Sequence, residues 1–291
     1  MTGKAEAIAH GAATIVNAIA LGKGAAFGVD LWTKAEVRLT EELNVITGEI
    51  TSDPAESTAL IESTVSRVFQ RFGVEKRFGA KVKTSSNIPI ARGLKSSSVA
   101  ANAVALATVA ALGKTLDDME VVKLGVDAAF DAKVTVTGAF DDACASYFGG
   151  AVVTDNLKRK LLKRITLPDD LTVLFHVPSR KAYTGDSDVN RLKTVKPLVE
   201  IAYAEALKGN FWSALSLNGI IYSSALGYDT SVALDALEAG ALAAGLCGKG
   251  PAVTAVVSSD KIDAVKTALQ RHKGEILQAH LNHEKAKVLS Q

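Results

Sequence analysis

The stretch with the clearest chemical potential joins glycine, lysine and consecutive serines to a run of helix-forming residues, Val99–Leu112, which Gly113 ends. It consists of Pro89, Ile90, Ala91, Arg92, Gly93, Leu94, Lys95, Ser96, Ser97 and Ser98. The first N–H groups of a helix lack partners within the helix and carry partial positive charge, so they suit a phosphate. This stretch, called the phosphate loop below, predicts binding of nucleotide phosphates. A serine that only caps the helix is the alternative.

Two adjacent carboxylates, Asp141 and Asp142, interrupt the otherwise small and apolar segment Thr137–Gly150. Their neighbours Phe140 and Tyr147 indicate partial burial, and a buried carboxylate needs a partner. Phosphoryl transfer to a hydroxyl group uses a carboxylate near the acceptor, together with donors around the phosphates. The pair is therefore predicted to be catalytic, and a solvated turn is the alternative.

Three cations stand where they could bind an anionic group. Lys249 lies in the glycine-rich turn Gly248–Pro251, which precedes a predicted strand and could meet a phosphate or a substrate carboxylate. Arg180 and Lys181 follow another predicted strand and could clamp a carboxylate. A plain turn and a basic surface loop are the respective alternatives.

Other nucleotide-binding patterns do not fit the sequence. The cluster Gly22, Gly24 and Gly28 is one residue too long for a dinucleotide fingerprint and runs into an alternating strand instead of a helix. The glycines and lysine of Gly245–Gly250 have the wrong offsets for a Walker-type loop. The sequence therefore disfavours Rossmann folds and P-loop kinases.

The elements that must position these residues alternate between strands and helices, which predicts an α+β fold. Residues from Phe27 to Thr40 alternate strictly between apolar and polar, which predicts a long half-buried strand, and a hairpin is expected near 44–48. Helices are expected at about 54–72, 99–112, 117–130, 188–207, 211–226 and 230–244, and from residue 260. A change of character after Thr154 predicts two domains, 1–154 and 155–291.

Composition limits the classes of function. The net charge is +2, and charges of both signs are interspersed, which gives no support for a nucleic-acid partner. The longest apolar run is shorter than a membrane span, and Cys144 and Cys247 form neither a disulfide framework nor a metal-ligand spacing. A cytoplasmic enzyme is expected, with small-molecule partners and an oligomeric state that the sequence leaves open.

The phosphate loop resembles the Pro-x-x-x-Gly-Leu-Gly-Ser-Ser-Ala-Ala motif of the galactokinase–homoserine kinase–mevalonate kinase (GHMP) superfamily. Pro89, Gly93, Leu94, Ser96 and Ser97 match, and Ala100 does too. Lys95 replaces a glycine, and the resulting Gly-Leu-Lys-Ser-Ser-Ser version is similar to the archaeal-type shikimate kinases of that superfamily. The Asp141-Asp142 segment and the Gly248–Pro251 turn resemble two further superfamily motifs in the same order.

The resemblance implies a two-domain fold with the active site in the cleft between an N-terminal ATP-binding domain, of the ribosomal S5 domain 2-like type, and a C-terminal GHMP kinase domain. It also implies ATP and Mg²⁺ as cofactors. Asp141 takes the position of the catalytic aspartate and Asp142 that of a following asparagine, an assignment that stays open by one residue. Ser97 and Asp131, with Asp127 as the alternate, match the magnesium ligands.

Acceptor contacts are implied less directly. By resemblance, Asn17, Lys23 and Asp30 lie in an early substrate-lining segment, and the superfamily's N-terminal catalytic lysine has no clean counterpart, since Lys4 is out of register. The implied activity is ATP-dependent phosphorylation of the 3-hydroxyl of shikimate. Another GHMP kinase activity, on homoserine or mevalonate, and a non-catalytic nucleotide sensor are the alternatives.

Overall fold

The computed structural model describes residues 3–179 and 189–291, and these form an α+β fold, as predicted. The strands are β1 (Lys4–Val16), β2 (Lys23–Thr40), β3 (Ile46–Ile50), β4 (Gly79–Ser86), β5 (Ala151–Asp155), β6 (Lys160–Ile165), β7 (Leu171–Val177), β8 (Ala243–Leu246), β9 (Val253–Ser258), β10 (Glu275–His280) and β11 (Lys287–Ser290). The helices are α1 (Ala59–Phe72), α2 (Ser96–Ala111), α3 (Asp118–Asp131), α4 (Phe140–Phe148), α5 (Val189–Thr194), α6 (Lys196–Lys208), α7 (Phe211–Leu226), α8 (Ser231–Glu238) and α9 (Ile262–Leu269).

The first sheet is built around the long antiparallel hairpin of β1 and β2. Alternate residues of β2 from Phe27 to Leu39 are all buried, so the predicted half-buried strand is confirmed. Period-two alternation places these side chains on one face of the sheet, where α2 and α4 cover them. The order in this sheet is β11-β1-β2-β4-β3, and β5 pairs with β2 and β6.

The hairpin expected near 44–48 is wrong. β3 begins at Ile46, but it pairs with β4 in parallel, with Ile46 opposite Ala80. The chain leaves β3, passes through α1 and returns in the same direction as β4. A helical crossover between parallel strands explains why a local turn signal misled the prediction.

The second sheet has the order β10-β7-β9-β8 and packs against helices α7, α8 and α9. The predicted helix at 230–244 is too long: α8 ends at Glu238, and Gly240 has a φ of 103°, which ends the helical conformation. β8 follows directly. The helix expected from about 188 is described from residue 189 as two helices, α5 and α6, and α6 carries Pro197 in its first turn.

The two sheets share one hydrophobic core. The largest cluster of buried apolar side chains includes Phe27 from β2, Phe175 from β7 and Tyr222 from α7. β6 and β11 lie beyond residue 155 but join the first sheet, so the division between sheets does not coincide with the boundary predicted at 154–155. Within the described residues, no helix combines the length and the apolar character needed to cross a membrane.

Candidate active site

The phosphate loop leads onto the N-terminus of α2, as the sequence predicts. Lys95 is the N-cap residue and has a left-handed backbone, with a φ of 64°. α2 then begins at Ser96, and its alanine-rich body is buried between the first sheet and the helices α1, α3 and α4. The loop serines therefore stand at the positive end of a rigid, packed helix.

The glycine-rich turn between β8 and β9 packs directly against this loop. A Cβ on Gly93 would lie 2.6 Å from the carbonyl oxygen of Cys247, and a Cβ on Gly248 would lie 2.9 Å from Lys95 Nζ. The N–H of Ala252 also donates to the carbonyl of Arg92 at 3.2 Å. Gly93 leaves no room for a side chain because the neighbouring atom is backbone, and both glycines have left-handed φ angles, 87° and 61°, which other residues rarely adopt.

The two acidic residues lie in the first turn of α4. Gly138 and Ala139 directly precede α4, and both have positive φ angles, 79° and 47°. This change of backbone direction lets the helix begin at Phe140, which places Asp141 and Asp142 in its first turn. Carboxylates at a helix N-terminus interact favourably with the partial positive charge there. Both residues are buried, so the predicted partial burial of the pair is confirmed.

Asp142 forms an ion pair with Lys95 of the phosphate loop. The distance between Lys95 Nζ and Asp142 Oδ2 is 2.9 Å, and only 11% and 7% of the two side chains are exposed. Burial lowers the pKa of Lys95, but the negative charge of Asp142 opposes this effect, and the net pKa is raised. Asp142 Oδ1 is buried and has no hydrogen-bond partner within the part of the chain that the structure describes. It can thus accept a hydrogen bond from a bound molecule.

Asp141 has a different environment. Its Oδ1 accepts a hydrogen bond from Asn156 Nδ2 at 2.8 Å, and its Oδ2 packs where a side chain on Gly24 would clash. Burial raises the pKa of Asp141, and the charge of Asp142 raises it further, whereas Lys95 and Asn156 oppose both effects. The resulting pKa of about 7 makes Asp141 able to take up a proton near neutral pH.

We predict that Asp141→Asn stabilises the protein at alkaline pH more than at acid pH. The pKa of Asp141 is about 7 in the folded protein, above that of an exposed aspartate. Stability therefore falls as pH rises through the folded pKa, because the unfolded chain releases that proton at lower pH. Asparagine removes this dependence, so the Tm gain over the parent protein should be larger at about pH 8 than at about pH 5.

Asp131→Asn is the control, because Arg67 lowers the pKa of Asp131 through a hydrogen bond and no alkaline gain is expected. An equal Tm difference for Asp141→Asn at both pH values would contradict the environment assigned to Asp141.

Predicted site residues from both halves of the chain line one cleft. The cleft is walled by the loop after β1, the phosphate loop, the start of α4 and the β8–β9 turn. Its lining includes the predicted residues Asn17, Ala91, Gly93, Lys95, Ser96, Ser97, Ser98, Asp141, Asp142 and Lys249. The structure thus brings together the three motifs, although Asn17 Nδ2 itself donates to the carbonyl of Gly248 at 2.9 Å.

Four residues of the phosphate loop do not line the cleft. Leu94 is buried in the core, and the side chain of Arg92 donates to the carbonyl of Pro178. Pro89, Ile90 and Arg92 line a small surface pocket next to the loop. These residues anchor the loop from outside the cleft.

The predicted metal ligand Asp131 does not belong to the cleft lining found among the described residues. It is the last residue of α3, and its two carboxylate oxygens accept hydrogen bonds from Arg67 Nε and Nη2 at 2.5 and 2.6 Å. The alternate, Asp127, forms an ion pair with Arg159 at 2.6 Å. Arginine partners occupy both carboxylates, which runs against direct magnesium ligation.

Among the described residues, the predicted acceptor contacts Asp30 and Lys23 do not line the cleft. Asp30 is exposed and accepts a hydrogen bond from the N–H of His280 at 2.8 Å. Lys23 is exposed, and its Nζ lies 5.9 Å from the centre of the Tyr203 ring. Arg180 and Lys181 lie outside the described residues.

Sequence reasoning missed Asn156 and the contact of Gly24 with Asp141. Asn156 opens a stretch rich in lysine and arginine, 156–164, and nothing in its local pattern indicates a contact with α4. Gly24 belongs to the glycine cluster that does not fit a dinucleotide fingerprint. A glycine at the start of a long strand is a signal of close approach, which here is the approach of Asp141.

A second, more apolar pocket adjoins the cleft and shares Ala91, Ser96, Ser97 and Val134 with it. Its other walls come from β2, β3, β4 and α1 and include apolar Ile50, Leu60, Ile61 and Ile90 as well as polar Thr33, Ser52, Ser57, Thr84 and Ser86. The serines of the phosphate loop therefore separate a polar cleft from an apolar pocket.

Proteins with related sequences or folds include kinases and a decarboxylase. Residues 59–150 match the GHMP kinases N terminal domain. The shikimate kinase of Methanosarcina mazei is 48% identical over 98% of this chain and 97% of its own, and that of Methanothermobacter thermautotrophicus is 42% identical over 96% of each. A mevalonate diphosphate decarboxylase from Staphylococcus aureus has a similar fold, with a TM-score of 0.73 at 16% identity, covering 100% of this chain and 99% of its own.

Two solved kinase structures have a fold similar to that of this chain. Homoserine kinase from Cytophaga hutchinsonii has a TM-score of 0.74 at 19% identity, covering 99% of this chain and 98% of its own. Mevalonate kinase from Methanococcus jannaschii has a TM-score of 0.74 at 17% identity, covering 97% and 98%. With its nearly full-length archaeal relatives at 42–48% identity, this chain belongs to the shikimate kinase family of the GHMP kinases.

Proposed function

We propose that the protein transfers the γ-phosphoryl group of ATP to the 3-hydroxyl of shikimate and forms shikimate 3-phosphate, a step toward chorismate. The observation that carries this proposal is the buried group of Asp141, Asp142 and Lys95, which lies in the same cleft as the N-terminus of α2. This arrangement offers a proton acceptor, a cation and a phosphate site to one bound substrate pair. Family membership adds the identity of the acceptor.

The two adjoining pockets suit the parts of ATP. The triphosphate would lie along Ser96, Ser97 and Ser98, where the α2 N–H groups and hydroxyls can donate to phosphate oxygens. The base would enter the apolar pocket, whose hydroxyl-bearing rim offers hydrogen bonds to a flat heterocycle. The serines common to both pockets would stand at the junction between base and phosphates.

Asp141 is proposed to accept the proton of the shikimate hydroxyl. Its pKa of about 7 matches the requirement that a general base be ionised yet able to hold a proton at neutral pH. Asp142 stays paired with Lys95, and its second oxygen would orient a hydroxyl of the acceptor. Most of the rate enhancement in phosphoryl transfer comes from positioning and charge stabilisation, which this buried trio can supply.

Magnesium fits the cleft only with the nucleotide as its main ligand. No cluster of three or more histidine, cysteine or acidic side chains suited to a metal was found in residues 3–179 and 189–291. Mg²⁺ commonly keeps several waters and binds through phosphates and few protein oxygens, and Ser97 is the hydroxyl proposed to contribute. The ion, when bound, would neutralise charge on the phosphates.

The carboxylate of shikimate requires a cation. Lys249 is the candidate within the described cleft, and Arg180 and Lys181 remain sequence-based candidates. We also retain a cytoplasmic location, where ATP is available, and homo-oligomer formation as expectations for this enzyme.

Coupled assays of ADP release with shikimate, homoserine and mevalonate test the proposal. We expect turnover with shikimate and little with the other two acceptors. Turnover with homoserine or mevalonate but not shikimate would replace the proposed acceptor. Binding of ATP without turnover on any acceptor would favour a nucleotide sensor over a kinase.

A further inference from the structure

Asn156 connects Asp141 to a short chain of buried polar groups. Its Nδ2 donates to Asp141 Oδ1 at 2.8 Å, and its Oδ1 lies 2.7 Å from the hydroxyl of Thr154. The same hydroxyl lies 3.2 Å from the carbonyl oxygen of Gly24. The N–H of Asn156 donates to the carbonyl of Gly22 at 3.0 Å, which fixes the backbone beneath this side chain. Asn156 is only 5% exposed, so water does not readily replace these partners.

This chain of groups can satisfy both protonation states of Asp141. When Asp141 is ionised, Thr154 donates to Asn156 Oδ1, and Asn156 Nδ2 donates to Asp141, as the observed contacts allow. When Asp141 is protonated, its O–H needs an acceptor, and a rotated amide presents its carbonyl oxygen. Asn156 Nδ2 can then donate to the hydroxyl of Thr154, which turns to donate to Gly24. The contact between Asp141 and Asn156 and the contact between Asn156 and Thr154 are thus kept as hydrogen bonds in either state.

Ordinary surroundings for a buried carboxylate satisfy only one state. A backbone N–H or an ammonium group stabilises the anion but cannot accept from the acid. A residue pair that can reverse its donors avoids the cost of a buried, unsatisfied polar group when the proton arrives. We propose that Asn156, oriented by Thr154, is a positioning residue that holds Asp141 in place while it takes up and releases the substrate proton.

The other ionisable groups that face Asp141 stay in one state near neutral pH. Lys95 has a raised pKa that keeps it charged, and burial raises the pKa of Cys144 on α4. Burial also raises the pKa of Tyr203 on α6 to about 12 and that of Tyr222 on α7 further. Asp142 is the remaining neighbour and is paired with Lys95. A pH profile between about 5 and 9 therefore reports on Asp141.

Two substitutions at one position test the inference, which rests on the proposed function. Asn156→Leu has similar size but removes the donor to Asp141, and Asn156→Asp has the same shape but brings a second acid. Both changes disfavour ionised Asp141. We expect the acidic limb of kcat/KM for shikimate to move up by about one to two pH units, while KM for ATP stays near the parent value.

Asn282→Leu is the matched control, because Asn282 is 6% exposed and the hydrogen bonds recorded for its side chain among the described residues are both with the backbone of Glu284. It should leave the acidic limb in place. Thr154→Ser keeps the hydroxyl and should retain the parent profile, whereas Thr154→Val should lower kcat/KM. If Asn156→Leu does not fold, the isosteric Asn156→Asp still tests the shift.

An infrared titration separates this inference from the proposed function. The carbonyl band of protonated Asp141, assigned by its loss in Asp141→Asn, should persist to higher pH in Asn156→Leu whether or not the protein turns over shikimate. An unshifted band and an unshifted acidic limb would overturn the role of Asn156. Absent turnover of shikimate by the parent protein, with a shifted band, would overturn only the proposed function.

Discussion

Replacing Asp141 with asparagine is expected to lower kcat for shikimate by about 10²- to 10⁴-fold, the usual contribution of a positioned general base. Asparagine has nearly the same shape and can still contact Asn156, but it cannot take up the hydroxyl proton. The phosphate loop lies on a different helix, so affinity for ATP should change little. Initial rates of ADP release and calorimetric ATP binding measure the two quantities.

Loss of activity through misfolding would look different. The same substitution is expected to raise Tm at alkaline pH, so inactivity together with greater stability is the signature of a catalytic carboxylate. Asp131→Asn serves as the control, because Asp131 pairs with Arg67 and is expected to keep most of its kcat. A kcat within a few fold of the parent value for Asp141→Asn would remove Asp141 from the mechanism.

The ion pair of Lys95 with Asp142 is expected to give the second large effect. Lys95→Met should lower the free energy of unfolding by about 3–5 kcal/mol, because it leaves the buried carboxylate of Asp142 without its cation. Asp142→Asn should also destabilise, because it leaves the ammonium group buried. The double variant Lys95→Met/Asp142→Asn removes both charges and should regain much of the lost stability, yet kcat should stay low.

Urea unfolding of the four proteins measures this cycle. Lys4→Met is the matched control, since Lys4 forms an ion pair with Glu36 in which the side chains are 58% and 44% exposed. Surface pairs of this kind contribute less than about 1 kcal/mol, so little change is expected. Additive losses in the double variant would show that Lys95 and Asp142 do not depend on each other.

Local patterns gave reliable predictions where the chemistry is local. Strict alternation in β2 is a direct consequence of one face packing on helices, and it predicted the burial of alternate residues from Phe27 to Leu39. Serines before an alanine-rich run predicted a helix at about 99–112, and α2 begins three residues earlier, at Ser96, so that the serines form its first turn. The order of three motifs along the chain predicted the family.

Contacts between distant segments could not be predicted in this way. Lys95 replaces a glycine of the superfamily motif, and its partner Asp142 stands 47 positions later, where only the fold brings the two together. Asp131 was expected to bind magnesium, but a bidentate contact with Arg67 from α1 holds it instead. The spacing of neighbouring residues in the sequence predicts neither of these two ion pairs.

The position of β3 shows the same limit at the level of the fold. Its turn-rich surroundings indicated a hairpin, whereas the pairing with β4 depends on the path of α1 between them. The contact of Asn156 with Asp141 likewise depends on the fold, because Asn156 directly follows β5 and Asp141 lies on α4. The local sequence of Asn156, which is basic and polar, does not indicate this contact. Tertiary contacts determine both the strand pairing and the hydrogen bond, and local sequence propensity does not predict either of them.

Identification of the phosphorylated product tests the central claim most directly. The purified protein would be incubated with ATP, Mg²⁺ and shikimate, and the product examined by coupled proton–phosphorus NMR. The account predicts one new phosphate ester on the 3-oxygen of shikimate, formed in equal amount with ADP and formed far more slowly by Asp141→Asn. Phosphate released to water, or attached to a different hydroxyl, would contradict it.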